Sequence, residues 1–304
     1  MKLGLIGLGK MGGNMARRLR RSGIDVVGYN RDATVAEALA EQCGLLPAES
    51  AEALVAALPT PRLVWLMLPA GEITESYVQN MQSLLEPGDI LIDGANSYYK
   101  DSMRRGELLA SAGIHFVDAG VSGGVWGLEN GYAMMVGAAD EAFAAIQPII
   151  EALAPAADRG WTHTGPTGSG HFVKMIHNGI EYGMMQAYAE GFALMKGRDD
   201  FNLDLAEIAE SWRHGSVVRS WLLDLSADVL ANDQQLDSVQ PFVADSGEGR
   251  WTALESIEQG VPTPVMSMAL MARFSTQGKQ DYSAKLLAMM RKQFGGHAIR
   301  SAED

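Results

Sequence analysis

Leu3-Gly4-Leu5-Ile6-Gly7-Leu8-Gly9-Lys10-Met11-Gly12 is the stretch that decides the fold. Leu3 to Ile6 reads as a short apolar strand, the Gly7-x-Gly9-x-x-Gly12 run follows at once, Asn14 to Arg21 has helical patterning, and Ile24 to Tyr29 reads as a second strand. A bare glycine pattern is commonly only a turn. Strand, glycine loop, helix and strand within about thirty residues form the βαβ fingerprint of a dinucleotide site. Its glycines permit a tight turn and let the backbone approach a pyrophosphate whose charge faces a helix N-terminus. Gly7, Leu8, Gly9, Lys10, Met11 and Gly12 are therefore candidate cofactor-binding residues.

The second strand ends on Asn30-Arg31-Asp32. An NAD site usually carries an acidic residue there for the ribose hydroxyls, whereas an arginine can stack on adenine and pair with a 2′-phosphate. Asn30 and Arg31 join the cofactor set, and Arg31 favours NADP over NAD. Asp32 pulls the other way, because its charge opposes a phosphate, and Arg31 could equally be a solvated surface residue.

Further βα units follow: Leu63 to Leu68 before Pro69-Ala70-Gly71, Ile90 to Ile92 before Asp93-Gly94-Ala95-Asn96-Ser97, His115 to Asp118 leading into Ala119-Gly120-Val121-Ser122-Gly123-Gly124, and a strand from Tyr132 to Val136. Alternating strands and helices imply a mostly parallel sheet with ligands at the carboxyl ends of the strands. Leu68, Asn96 and the Ser122-Gly123-Gly124 run all fall at such ends. Each could be merely a turn, because Gly, Ser and Asn are ordinary turn formers. Successive small residues also expose backbone N–H groups that can hold a carboxylate, which makes Ser122 to Gly124 the strongest ligand contact of the three.

From Pro166 onward the pattern is helical: Phe172 to Met195, Leu203 to Trp212, Ser216 to Leu230, Trp251 to Gln259, Pro264 to Ser275 and Asp281 to Phe294. The expected architecture is an α/β Rossmann-like dinucleotide-binding domain over 1–165, followed by an all-α helical domain over 166–304. The first of those helices carries Lys174, Asn178 and Glu181 at i, i+4 and i+7, which places them in one stripe with His177 beside it. Lys174 and Glu181 are separated by about 10 Å of helical rise, too far for the usual i,i+4 pair. The stripe reads either as a polar seam on a core helix or as the wall of a cavity that holds a small ligand, and the cost of burying an ammonium and a carboxylate favours the cavity.

At 304 residues, 47% hydrophobic and 20% charged, the chain has the composition of a globular protein large enough for two domains. Cys43 is the single cysteine, so no intrachain disulfide forms, and six scattered histidines without metal-ligand spacing argue against a metal site. A net charge of -13 disfavours nucleic acid. Met1 to Gly7 passes into the glycine loop too soon for a signal peptide or membrane span, so a cytoplasmic location is expected. Near the other end, Arg291-Lys292 before Gly295-Gly296 suits a helix dipole, although Arg291 and His297 could instead cap an anion site in a neighbouring subunit.

Taken together these residues closely resemble the decarboxylating 6-phosphogluconate dehydrogenases of the pentose phosphate pathway and gluconate utilization, in their shorter bacterial form. The resemblance runs through Gly7 to Gly12, Asp93 to Ser97, Gly120 to Gly124, Gly168 to Gln186, Gly249-Arg250-Trp251-Thr252 and Phe294 to His297, and the Gly170 to Tyr182 run is its most specific part. Related β-hydroxyacid dehydrogenases share Lys174 and Asn178 but lack the continuation to Glu181-Tyr182.

The resemblance implies that Lys174 is the general base and Glu181 the general acid, with His177, Asn178 and Tyr182 around the substrate. It further puts Ser122, Gly123 and Gly124 at the sugar-acid end, Asn96 between cofactor and substrate, and Arg273 on the phosphate. Arg291 and His297 match tail residues that reach into a partner's site, which implies a homodimer or higher oligomer. Where longer members have a lysine near the phosphate this chain has Ser246, with Arg250 close in sequence, and longer members carry a second helical half. The implied reaction oxidises 6-phosphogluconate with NADP or NAD and no metal; a non-decarboxylating β-hydroxyacid dehydrogenase or reductase is the alternative.

Overall fold

The computed structural model describes residues 1–295 and residue 298. It falls into two compact units, Met1–Ile176 and one that begins at His177.

The first unit alternates strand and helix: β1 (Lys2–Ile6), α1 (Lys10–Arg21), β2 (Asp25–Tyr29), α2 (Ala33–Cys43), β3 (Leu46–Pro47), α3 (Ala51–Ala56), β4 (Leu63–Leu66), α4 (Glu72–Leu84), β5 (Ile90–Asp93), α5 (Tyr99–Ala110), β6 (His115–Ser122), α6 (Gly127–Asn130), β7 (Ala133–Gly137), α7 (Asp140–Leu153) and β8 (Trp161–Gly165), and it ends in the first turns of α8 (Ser169–Lys196). The eight strands form one sheet in the order β3-β2-β1-β4-β5-β6-β7-β8, parallel throughout except where β6 meets β7. Strand order reverses between β1 and β4, the switch point at which open α/β sheets bind ligands.

Period-two alternation makes both faces of the sheet apolar, as a sheet covered by helices on both sides requires. Leu3, Leu5, Trp65, Ile92 and Val117 pack into one core, while Ile6, Val64, Leu66, Leu91 and Phe116 pack into the other. Asp32 starts α2 by accepting the Thr34 N–H, and Gly44, at φ 70°, ends it in the left-handed conformation.

Two details depart from the sequence reading. Ala119 to Ser122, expected to lead into a loop, continue β6, because Val121 and Ser122 pair with Met134 and Ala133 of β7; ladder bonding overrides the turn propensity of Gly and Ser. β3 and β8 carry no clear strand signal, the first because it has two residues and the second because Thr and His alternate along a sheet edge. His163 of β8 is satisfied by the Ala138 carbonyl at 2.9 Å and stacks on Phe143 at 4.3 Å.

The second unit holds the rest of α8 with α9 (Leu205–Arg213), α10 (Trp221–Asn232), α11 (Glu248–Gln259), α12 (Pro264–Ser275) and α13 (Asp281–Gly295), and no strand among the described residues. Phe192, Leu205, Ala209, Leu223, Ala227 and Leu230 make its core. α10 begins five residues later than its apolar periodicity suggests, since Ser220 caps it by accepting the Leu223 N–H. Among the described residues, no helix is long and apolar enough to cross a membrane.

Candidate active site

The glycine loop is shaped by close backbone approach. Gly7, at φ 92°, donates its N–H to the Tyr29 carbonyl at 2.9 Å. A Cβ on Gly12 would collide with the Gly7 carbonyl, whereas a Cβ on Gly9 would meet only open space. Gly9, the N-cap of α1, offers no side-chain cap, so no side chain competes for the first N–H groups of the helix. This is a cradle into which a pyrophosphate fits.

Asn30 ties the loop to β2 by accepting the Leu8 N–H at 3.0 Å, while its Nδ2 donates to the Asp32 carbonyl at 3.1 Å. The Asp32 carboxylate accepts from Thr34 N–H and Thr34 Oγ1, at 3.1 and 2.7 Å, and so occupies the α2 N-terminus. Arg31 is exposed beside it, and Leu8, Gly9, Lys10 and Thr34 share the wall of an open cleft. Met11 and Leu68 are half-buried.

At the carboxyl end of β5, Asn96 adopts φ 51°, a left-handed conformation that Asn tolerates better than most residues. Its side chain is clamped to the backbone of one residue: Nδ2 donates to the Val121 carbonyl at 3.1 Å and Oδ1 accepts the Val121 N–H at 2.9 Å. The next residues, Ser122 and Gly123, are half-buried and Gly124 is exposed. Below Asn96 the buried Asp93 carboxylate accepts from Ala95 N–H, Ser97 Oγ and Arg105 Nη1 at 3.0, 2.8 and 3.0 Å.

Glu75 of α4 accepts from both Arg104 and Arg105 of α5. The Arg104 bonds, followed by that of Arg105, hold its carboxyl down to about 2 against the opposing pull of burial. A carboxyl depressed in the folded state adds stability above its ordinary value, 4.5, and this is lost as pH falls towards about 2. Glu75→Gln should therefore flatten the decline of melting temperature across that acid range; an unchanged slope would refute the role.

Where α8 begins, its first turn is capped from the sheet. The Asp118 carboxylate of β6 accepts Gly168 N–H at 2.6 Å and His171 N–H at 2.7 Å. Burial raises the Asp118 carboxyl despite the compensating charge and N–H of His171. Buried His171 is held in turn by Ser102 of α5 at 2.7 Å. Gly120 of β6 lies directly under the Lys174 side chain, with no room for a Cβ between them, and Lys174 is 5% exposed. The sheet thus fixes the helix turn that carries Lys174.

In the second unit, the His177 Nδ1 lies 3.0 Å from Asn178 Oδ1 and 3.7 Å from Glu181 Oε2, all three half-buried. Gly249 of α11 abuts the Tyr182 ring. Ser246 donates to Glu248 at 2.6 Å, so the Tyr182 hydroxyl, 2.8 Å away, donates to Ser246.

The Arg273 guanidinium stacks 3.7 Å over the Tyr182 ring and bonds the Ala244 carbonyl at 2.9 Å. Arg250 stacks on Phe274 at 4.7 Å and pairs with Asp245 at 2.5 Å. Burial alone would raise the Asp245 carboxyl, but the Arg250 bond, the Gly247 N–H and the charges of Arg250 and Arg273 outweigh it and leave it lowered. Both arginines therefore border the 244–248 loop. Arg291 is exposed on α13, one residue before its last turn, and His297 lies outside the described residues.

Sequence reasoning missed Asp118, His171, Arg105 and Glu75. The one available signal was that Asp118 and Asp93 each follow directly on a short apolar run. Arg105, which is 1% exposed, sits among ordinary surface residues of an amphipathic helix and gives none.

A Rossmann-type sheet with an open glycine cradle, a buried lysine against β6 and a helical unit bearing carboxylate, imidazole and arginine groups defines a dinucleotide-dependent dehydrogenase. Comparison with known proteins makes this specific. The model of the NAD binding domain of 6-phosphogluconate dehydrogenase matches residues 2–165, and that of the 6-phosphogluconate dehydrogenase C-terminal domain matches residues 170–303. The chain belongs to the 6-phosphogluconate dehydrogenase family.

It is 38% identical to the NAD(+)-dependent, decarboxylating 6-phosphogluconate dehydrogenase of Haloferax volcanii, over 100% of both chains. The NADP(+)-dependent, decarboxylating enzyme of Bacillus subtilis is 36% identical over 92% of this chain, which spans 62% of that longer relative. Plasmodium falciparum 6-phosphogluconate dehydrogenase superposes with a TM-score of 0.84 at 31% identity, covering 100% of this chain and 67% of that one. Among the described residues, no group of three or more His, Cys, Asp or Glu could hold a metal ion.

Proposed function

We propose that this protein catalyses the oxidative decarboxylation of 6-phosphogluconate to ribulose 5-phosphate and CO₂ with reduction of NADP or NAD, in the cytoplasm. The observation that carries this reading is the match of both family models, in order, across nearly the whole chain. Residues 1–165 serve as the dinucleotide-binding domain and 166–304 as the substrate-binding and dimerisation domain.

The bound nicotinamide supplies the hydride acceptor. Lys174 takes the proton of the 3-hydroxyl as the C3 hydrogen leaves as hydride. The product is a ketone β to the carboxylate. Protonated Lys174 hydrogen-bonds the oxyanion that develops as the carboxylate departs as CO₂ and its bonding electrons enter an enediolate. Glu181 then delivers the proton that forms C1 of ribulose 5-phosphate.

Asn96, Ser122, Gly123, Gly124, His177 and Asn178 bind the sugar acid. Tyr182 and Arg273 hold the phosphate, with Arg250 supplying a second cation where longer members use lysine. Arg291 and His297 of a second copy complete the site in a homodimer.

Incubation with 6-phosphogluconate and each cofactor, following reduced nicotinamide and CO₂ together, tests the reading. One CO₂ per reduced nicotinamide is expected. Reduced nicotinamide without CO₂ would mark a non-decarboxylating β-hydroxyacid dehydrogenase, and neither product would overturn the proposal.

Cofactor choice turns on Arg31 and Asp32. Arg31→Ala should weaken NADP much more than NAD, and Asp32→Asn should tighten NADP by about tenfold by removing a charge that repels the 2′-phosphate. Equal effects on the two dinucleotides, measured by fluorescence titration, would reject both assignments.

A further inference from the structure

The buried Arg105 is unusual because it joins the segments that β4 and β5 lead into at the carboxyl edge of the sheet. Its Nε donates to Glu75 Oε2 at 2.9 Å, next to the loop that follows β4. Its Nη1 donates to both Asp93 Oδ2 and Ser97 Oγ at 3.0 Å, at the root of the loop that follows β5. Arg105 and Asp93 are 1% and 0% exposed, so the charges are desolvated and the pair is stabilised only while each keeps its bonds.

Asp93 then grips the chain on both sides of Asn96, through Ala95 N–H and Ser97 Oγ. Asn96 is left with a left-handed backbone and a side chain closed on the backbone N–H and carbonyl of Val121, immediately before Ser122. One Nδ2 hydrogen of Asn96 remains for a ligand. A simple structural ion pair would need one of these links; Arg105 makes three, to the start of α4, the end of β5 and the loop that follows β5.

We propose that Arg105 is a positioning residue that acts through Asn96: by fixing Asp93 and Ser97 it sets where the Asn96 amide stands in the reaction. This rests on the proposed function for Asn96 having a ligand to meet. A guanidinium is needed because its planar fork spans Glu75 and the Asp93–Ser97 pair at once, which a single ammonium cannot do.

Arg105→Lys keeps the buried positive charge opposite Asp93 and so preserves the fold, but loses the fork. Two measurements test it. In the protein without ligands, amide exchange at Ala95 and Val121 should accelerate by about tenfold or more while β1 and β4 stay protected, since their N–H groups report the Asp93 and Asn96 bonds. Under turnover, kcat should fall by about tenfold or more, in line with the cost of a misplaced group, with the Kd for dinucleotide held within about twofold.

In an Asn96→Gly background, where the left-handed backbone is kept and the amide is gone, Arg105→Lys should change kcat by less than about twofold. Exchange that rises equally across the sheet, an unchanged kcat, or the same fall in kcat with and without Asn96 would each overturn the proposal. Failure of the unsubstituted protein to turn over 6-phosphogluconate would count against the proposed function, and the exchange pattern would still decide whether Arg105 positions Asn96.

Discussion

Lys174→Met abolishes turnover and leaves the dinucleotide bound as tightly as before: this is the expected result with the largest effect. Methionine matches the lysine stem in length and can lie over Gly120 as the lysine does, so the helix keeps its seat on β6. What disappears is the amine, and with it two contributions. A positioned general base is worth about 10²–10⁴ in rate. Stabilisation of a developing oxyanion adds about 10²–10³ where water is excluded. Because the same group serves both steps the two do not simply multiply, and a loss of at least about 10⁴-fold in kcat is the expectation. Fluorescence titration should place the NADP Kd within about twofold of the unsubstituted value, as Lys174 lies on α8 and the glycine loop on β1–α1. Retained turnover would remove Lys174 from the mechanism, and a lost Kd would show that the substitution had disturbed the fold.

The order of strands and helices was legible because it depends on local pattern. Gly7 to Gly12 between two apolar strands could be little else, and Lys174, Asn178 and Glu181 reveal themselves as polar residues at helical spacing on an apolar helix. What stayed hidden depends on pairing between distant segments. Val121 and Ser122 look like loop residues until β7 lies beside them. Asp118 looks like the end of a strand until its carboxylate is seen to cap a helix fifty residues later. Arg105 is one of two adjacent arginines, Arg104 and Arg105, and only the phase of α5 against the sheet sends one into the core and the other to solvent. Spacing says which residues share a face; burial decides which of them can do chemistry.

Glu181→Gln should separate the reaction into a fast half and a slow half. Glutamine keeps the shape of the side chain and its i,i+4 relation to His177, whose Nδ1 lies 3.7 Å from Glu181 Oε2, but it cannot give up a proton. If Glu181 acts only after CO₂ departs, hydride transfer retains its rate, because the hydroxyl proton goes to Lys174. Mixing enzyme, 6-phosphogluconate and NADP in a stopped-flow instrument is then expected to show a burst approaching one equivalent of reduced nicotinamide per site. Steady-state CO₂ release and solvent-proton incorporation at C1 should fall by about 10²–10⁴-fold, the range for loss of a positioned acid. Rates for both that match the unsubstituted protein would rule out the acid role. A burst that slows in step with the steady state would move Glu181 to the hydride step, where Lys174 is already sufficient as the base. The burst amplitude is the sharper readout, since it distinguishes a residue that delivers the last proton from one that merely shapes the pocket around His177 and Asn178.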